Sequence, residues 1–225
     1  MVAHPKGNLL WDAGVVPDAA WTPTGGAVAH RLTLLNGVAR DLTLNKTLAS
    51  QLAQAGYSAA DVTFLALSHY HYDHTANANA FSSATWLVRQ GERDAMLADP
   101  PPAATLPSTY AALRDSRTRI IDRDDYDVFG DGTVVIKLAP GHTRFHQVLY
   151  VKLPNTGGVV LSGDLYHYAA ERTLNRLPTI DVDQGQSALT RAAIDRFLEG
   201  SGAQLWIQHD FAANSRLRKS PRYYD

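Results

Sequence analysis

The sequence contains no cysteine among its 225 residues, which excludes disulfide bonds and thiolate metal sites. Any metal ion would therefore be bound by histidine, carboxylate and water. No stretch approaches the roughly 18 consecutive apolar residues of a membrane-spanning helix, so no membrane partner is expected. The chain begins without the basic and apolar regions of a secretory signal peptide, and this predicts a cytoplasmic location.

Net charge is also low, because 21 Lys and Arg residues nearly balance 22 Asp and Glu residues. Without a basic surface, binding to nucleic acid is not expected. Hydrophobic residues make up 45% and charged residues 19%, as is typical of a soluble globular protein. The length fits one large domain, and no repeat or linker-like segment divides it, so we predict a single domain over residues 1–225.

Apolar runs and turn residues predict alternating strands and helices, the pattern of an α/β protein. The predicted strands are 8–11, 62–67, 84–88, 133–138, 147–153, 158–163 and 204–208. The predicted helices are 44–56, 91–99, 108–115 and 187–200. The segment 15–43, rich in Pro, Gly and Thr, is predicted to be a loop.

Polar side chains recur at the carboxyl ends of the predicted strands. The densest group is SHYHYDH at 68–74, directly after the apolar run VTFLAL. Open α/β sheets place ligand sites beyond the carboxyl ends of their strands, so we expect these side chains to converge. The candidate metal ligands are His69, His71, Asp73, His74, His142, Asp164 and His209.

This mixture of imidazole and carboxylate suits zinc and similar divalent transition metals. In an extended segment His69 and His71 point to the same side and can bind one ion. Asp73 and His74 point elsewhere and can begin a second site. A bridging carboxylate such as Asp164 would hold the two ions about 3.5–4 Å apart, the spacing of two-metal hydrolases.

Several of these residues also have a structural interpretation when each is taken alone. A single His142 or His209 is more often a structural or surface histidine, and Asp164 could cap a helix. His146, four residues after His142, could orient a ligand or be purely structural. The metal interpretation depends on the complete set, above all on the HxHxDH pattern.

HxHxDH after a buried strand, followed in order by GH, GD and a late histidine, resembles the metallo-β-lactamase superfamily. The resemblance runs from about residue 8 to residue 211. It implies an α/β fold, an αββα sandwich, with a dinuclear zinc site. Asp12-Ala13-Gly14 is similar to the superfamily's early Asp-x-Gly, whose aspartate orients a ligand. The chain starts at what would be the second or third strand, so the resemblance also implies that the usual N-terminal strand is missing.

Within the superfamily the chain is most similar to the N-acyl homoserine lactonases, through SHYHYDHTAN, the PGHT…HQ…YV run and SGDLY. By this similarity one ion would be bound by His69, His71 and His142, a second by Asp73, His74 and His209, and Asp164 would bridge both. Those enzymes commonly have a catalytic tyrosine three residues after the bridging aspartate. This chain has His167 there, beside Tyr166, and it has Arg144-Phe145 where the family usually has Pro-Gly.

The implied activity is zinc-dependent opening of a lactone ring by a metal-bridging hydroxide, with N-acyl homoserine lactones as the expected substrates, which would make the protein a quorum-quenching enzyme. Tyr166 or His167 would stabilise the oxyanion, and Asp73 would help to transfer a proton to the leaving alkoxide. The expected partner is a small-molecule substrate, with a homodimer as one option.

Three alternatives stay open. β-Lactam hydrolysis is disfavoured by Asp164, because β-lactamases of this superfamily often have Cys or Ser at that position. Phosphotriester or phosphodiester hydrolysis could use the same dinuclear site. A non-catalytic, structural metal site would be closed by four protein ligands, whereas seven ligands shared by two ions leave coordination positions open.

Overall fold

The structure is a computed structural model that describes residues 1–20 and 28–225. The chain divides into two compact units, Met1–Ile120 and Ile121–Asp225, and each is described in turn. Within the described residues, no helix combines the length and the apolar composition needed to cross a membrane.

The first unit is organised around a five-stranded, mostly parallel sheet. Its elements are, in chain order, β1 (Val2–His4), β2 (Gly7–Trp11), β3 (Val28–Thr33), β4 (Ala39–Leu44), α1 (Leu48–Gln54), β5 (Phe64–Ala66), α2 (Tyr72–Thr75), β6 (Thr85–Val88), α3 (Gln90–Met96) and β7 (Thr118–Ile120). The strand order is β1-β2-β5-β6-β7, in which β1 is antiparallel to β2 and the other neighbours are parallel. Strands β3 and β4 form a separate antiparallel hairpin.

The core of the first unit lies around β5, the middle strand of this sheet. Leu65 of β5 and Trp86 of β6 are fully buried, and Leu10 of β2 packs into the same cluster. A middle strand of a parallel sheet is covered on both faces, which explains why VTFLAL is almost continuously apolar rather than alternating.

The second unit contains the second five-stranded sheet and an 18-residue helix, the longest among the described residues. Its elements are β8 (Asp125–Asp127), β9 (Val134–Leu138), β10 (Gln147–Leu153), β11 (Gly157–Leu161), α4 (Ala169–Thr173), α5 (Gln184–Ser201), β12 (Gln204–Trp206) and α6 (Phe211–Asn214). The strand order is β12-β11-β10-β9-β8. Only the β11–β12 pair is parallel; the other neighbouring pairs are antiparallel.

Helix α5 closes the core of the second unit. Asp183 caps its N-terminus by accepting a hydrogen bond from the backbone N–H of Gln186 at 2.9 Å. Its apolar face places Ile194 and Leu198 in a buried cluster with Val148 of β10 and other sheet residues. This packing fixes α5 against the sheet in which β9, β11 and β12 are each followed by a predicted metal ligand.

Most of the strand predictions are confirmed, but the segment 15–43 is not simply a loop. Its second half contains β3 and β4, and the helix predicted over 44–56 begins only at Leu48, because Leu44 ends β4. Thr47 accepts a hydrogen bond from the N–H of Ser50 and so defines the start of α1. Residues 21–27 of the predicted loop lie outside the described residues.

Other differences concern short elements. The helix predicted over 108–115 is two 3-10 segments, Pro107–Thr109 and Ala111–Asp115. Strands β1, β7 and β8 and helices α2, α4 and α6 have three to five residues each. Such short elements carry too few residues for a periodic pattern, and they are fixed by the sheet or core beside them.

Candidate metal centre

In the first unit, the parallel pairing of β2 and β5 brings two polar segments together. Trp11 and Ala66, the last residues of these strands, are paired. Asp12 therefore leaves its strand beside the chain that leads to Ser68. Asp12 has φ 57, a left-handed conformation that is uncommon for a residue other than glycine and is typical of functional positions.

The carboxylate of Asp12 orients the polar segment 68–74. Its Oδ1 accepts a hydrogen bond from the backbone N–H of Ser68 at 2.6 Å, and its Oδ2 lies 2.8 Å from Nδ1 of His74. The Ser68 hydroxyl lies 3.0 Å from Nδ1 of both His69 and His74. These contacts fix two buried imidazole rings and agree with the orienting role expected for Asp12.

The histidines of this segment form a cluster. The ring centroid of His69 lies 4.4 Å from that of His71 and 4.3 Å from that of His74. His69 and His74 are buried and His71 is half-buried. Asp73 lies in the first turn of α2, next to His74 in the chain. The first unit therefore brings its three predicted histidine ligands together.

In the second unit, the parallel pairing of β11 and β12 likewise brings together the polar residues that follow the two strands. Leu161 and Trp206 are paired at the ends of these strands. Asp164 and His209 each follow three residues later, and Nε2 of His209 lies 3.1 Å from Oδ1 of Asp164. The equal spacing after two paired parallel strands explains why these two residues meet.

His142 reaches the same carboxylate from the loop between β9 and β10. Its Nε2 lies 3.3 Å from Oδ2 of Asp164, and its Nδ1 lies 3.0 Å from Oδ1 of Asp181. The preceding Gly141 is required because a Cβ there would lie 2.6 Å from the backbone of Ser187. Burial favours a raised pKa for Asp181, but its hydrogen bonds with His142 and Ser187 outweigh this and lower the pKa.

His146 has a different role, because both of its ring nitrogens contact backbone groups. Its Nδ1 lies 2.9 Å from the carbonyl oxygen of Ala139, to which it donates. Its Nε2 accepts a hydrogen bond from the backbone N–H of Asp164 at 2.9 Å. His146 is thus a fully buried residue that holds the backbone of Asp164 in place.

Tyr166 and His167 are adjacent in the chain but point into different surroundings. Tyr166 is buried in the core of the second unit, and its hydroxyl donates to Oδ2 of Asp195 at 3.4 Å. Burial, followed by the negative charge of Asp195, raises the pKa of Tyr166 to about 12. The side chain of His167 instead faces Asp164, with its Nε2 3.3 Å from Oδ2.

His167 lies between two carboxylates. Its Nδ1 is 3.2 Å from Oε1 of Glu171, on the opposite side of the ring from Asp164. Burial would lower the pKa of His167, but the hydrogen bond and negative charge of Asp164, together with the charge of Glu171, raise it above its ordinary value.

The donor atoms in both units suit divalent transition-metal ions. His69, His74 and His142 each have Nδ1 against a hydroxyl or carboxylate oxygen, so Nε2 is the nitrogen available for coordination. Metal-binding histidines in proteins commonly have such a partner on the other ring nitrogen. The nitrogen and carboxylate donors are those that zinc accepts in a chain without cysteine.

Three residues that contact the predicted site histidines were not identified from the sequence: Ser68, Glu171 and Asp181. Ser68 is adjacent to a predicted ligand, and its position in SHYHYDH is the only local signal that could have indicated it. Asp181 is separated from His142 by 39 positions, and no motif marks it. Glu171 follows His167 by four residues, the separation of one helical turn.

Comparison with known proteins identifies relatives along the whole chain. A family model described as the Metallo-beta-lactamase superfamily matches residues 1–200. The N-acyl homoserine lactonase AttM of Azorhizobium caulinodans is 28% identical over 239 residues, which cover 100% of this chain and 86% of that protein. The N-acyl homoserine lactonase AiiA of Bacillus thuringiensis subsp. kurstaki is 24% identical, covering 97% of this chain and 82% of that protein.

Solved structures with a similar fold include that of an N-acyl homoserine lactone hydrolase with the product N-hexanoyl-L-homoserine bound at its catalytic metal center. It superposes with a TM-score of 0.77 at 22% identity, over 98% of this chain and 83% of that one. The structure of AidC, described as a dizinc quorum-quenching lactonase, has a TM-score of 0.63 at 18% identity, over 91% of this chain and 69% of that one.

Proposed function

The chain belongs to the metallo-beta-lactamase superfamily, and from this premise we propose that it is a zinc-dependent lactonase that opens the ring of N-acyl homoserine lactones. The predicted α/β fold of the metallo-β-lactamase type is confirmed by the family match and by the likeness to solved structures. The chain is a hydrolase of this superfamily, as its relatives are.

Seven side chains would bind two zinc ions, and the single domain over residues 1–225 is part of the same proposal. In this proposal one ion would be bound by His69, His71 and His142, the second by Asp73, His74 and His209, and Asp164 would bridge the two. The relative described as a dizinc lactonase supports this choice of metal and number. A cytoplasmic location and a homodimer stay predictions.

The observation that carries the proposal is the environment of the Asp164 carboxylate. Its Oδ2 lies beside Nε2 of His142 and its Oδ1 beside Nε2 of His209. These two histidines are assigned to different ions, so each oxygen faces the ligand of one ion, as a bridging carboxylate requires. The backbone N–H of Asp164 donates to Nε2 of His146, which holds the main chain that carries this carboxylate.

Bound zinc ions would lower the pKa of water, so that hydroxide is present near neutral pH, and would polarise the lactone carbonyl. The reaction adds one water across the ester bond: the carbonyl carbon gains the oxygen, and the ring oxygen leaves with the proton. His167 would donate its Nε2–H to the developing oxyanion. Asp73 would help to deliver the proton to the leaving alkoxide.

Tyr166 does not fit the oxyanion role in this proposal. Its hydroxyl donates to Asp195 and its ring is part of the core of the second unit. The arrangement therefore supports His167, which occupies the place of the tyrosine of related lactonases and faces Asp164.

A substrate panel tests the proposed function. We expect the zinc-loaded protein to hydrolyse N-hexanoyl-homoserine lactone with a kcat/KM at least about tenfold above that for a cephalosporin or a phosphotriester, which corresponds to ~1.4 kcal/mol of transition-state binding. Ring opening is measured as the gain of one water by mass spectrometry, so that spontaneous hydrolysis in buffer can be subtracted. A cephalosporin or phosphotriester as the best substrate would contradict the lactonase assignment.

A further inference from the structure

The second unit contains a buried arginine, Arg191, whose guanidinium group has three acceptors. Nε of Arg191 donates to the carbonyl oxygen of Leu165 at 2.8 Å and Nη1 donates to the carbonyl oxygen of Arg176 at 2.5 Å. Nη2 donates to Oε2 of Glu171 at 2.8 Å. Since the planar guanidinium presents its donors in a rigid fork, Arg191 ties α5 to the segment 165–176 at three points.

Glu171 transfers this constraint to His167. Its Oε2 accepts a hydrogen bond from the backbone N–H of His167 at 3.1 Å, and its Oε1 lies 3.2 Å from Nδ1 of the same residue. One carboxylate therefore fixes both the main chain and the ring of His167. Glu171 is itself held in place by Arg191, and both side chains are largely removed from solvent.

The orientation of the His167 ring follows from these contacts. With Nδ1 directed at Glu171, Nε2 is directed at Asp164. The ring also stacks on His209, with centroids 5.7 Å apart and planes 22° apart. Buried ion pairs contribute little net stability compared with apolar residues of similar volume, so the main consequence of the Arg191–Glu171 pair is the geometry that it fixes around His167.

We propose that Glu171, held by Arg191, is a positioning residue that fixes the ring of His167 with Nε2 on the Asp164 side, where the lactone carbonyl would be attacked. The inference rests on the proposed function, because Glu171 would orient His167, the proposed donor to the oxyanion. It goes further in naming a residue, outside the metal ligands, on which turnover depends.

Replacing Glu171 with glutamine tests this role, because glutamine keeps the shape but loses one acceptor oxygen. We expect Glu171→Gln to lower kcat by about 10- to 100-fold, with KM changed less than about twofold and metal content unchanged, because the ligands are untouched. The matched control is Glu199→Gln, the same change at an exposed position of α5, which should leave kcat unchanged.

A double-mutant cycle separates positioning from a general structural effect. In a His167→Ala background, Glu171→Gln should cost less than about twofold, because the ring that it positions is absent. Arg191→Lys should lower kcat through the same route, since lysine cannot contact three acceptors at once. An equal loss from Glu171→Gln in both backgrounds would overturn the inference.

Histidine-ring NMR gives a readout that does not need activity. In ¹⁵N-histidine-labelled protein, with the His167 signals identified by their loss in His167→Ala, we expect Glu171→Gln to shift or broaden those signals and Glu199→Gln to leave them unchanged. Unchanged His167 signals in Glu171→Gln would overturn the positioning role. If no lactone is hydrolysed but the signals do change, the proposed function fails and the positioning by Glu171 stands.

Discussion

Asp164→Ala should reduce lactone hydrolysis by at least about 10³-fold in kcat/KM, or roughly 4 kcal/mol of transition-state stabilisation. The physical reason is that the Asp164 carboxylate is the proposed bridge between the ions, with His142 on one oxygen and His209 on the other. Removing it leaves imidazole groups facing one another without the negative charge that would hold two cations together. Zinc content per chain, measured on the same sample by mass spectrometry, should fall as well.

The control is Asp122→Ala, the same change at an exposed residue of the second unit, which should keep both activity and zinc. Asp164→Asn keeps the side-chain volume and tests whether the effect is one of charge; it should lose nearly as much activity as Asp164→Ala. Full zinc content with activity within tenfold of the unchanged protein would contradict the bridging role.

His167→Ala is the second change with a large expected effect. Loss of a donor to the oxyanion costs on the order of 10²-fold in kcat, and the zinc content should stay the same because His167 is not a proposed ligand. Tyr166→Phe should change kcat by less than about threefold and cost about 1 kcal/mol of stability, since it removes only the hydrogen bond to Asp195.

The comparison of these two variants decides between neighbouring residues. A large loss in Tyr166→Phe with little effect of His167→Ala would show that the hydroxyl, not the imidazole, supports the oxyanion. Equal and small effects of both substitutions would mean that metal ions alone stabilise the oxyanion. Thermal unfolding of each variant would show whether a loss of fold explains any difference in kcat.

The arrangement of the candidate site within each unit follows largely from local sequence. Asp164 and His209 each lie three residues beyond paired parallel strands, so identifying those strands was sufficient to predict that they meet. Asp12 and Ser68 are brought together in the same way by β2 and β5. Strand ends are marked by apolar runs that stop at polar residues, which is a strong local signal.

The supporting contacts could not be predicted in this way. Asp181 contacts His142 across 39 positions and Arg191 contacts Glu171 across 20, and both depend on how α5 packs on its sheet. The hairpin of β3 and β4 was missed because Pro, Gly and Thr are frequent in the segment before it and because no residue of β4 is buried. Tyr166 could not be separated from His167 by sequence, because only burial of the phenol ring shows which one faces Asp164.

Zinc titration with simultaneous measurement of lactone hydrolysis shows whether the activity depends on two zinc ions per chain. Chelated protein would receive zinc in steps up to about three equivalents, with the opening of N-hexanoyl-homoserine lactone followed at each step and bound zinc counted on the same sample. We expect no activity in the chelated protein and a rate that reaches its plateau at two bound ions per chain. Lactone hydrolysis that persists without zinc, or a plateau at one bound ion, would rule out a dinuclear zinc lactonase.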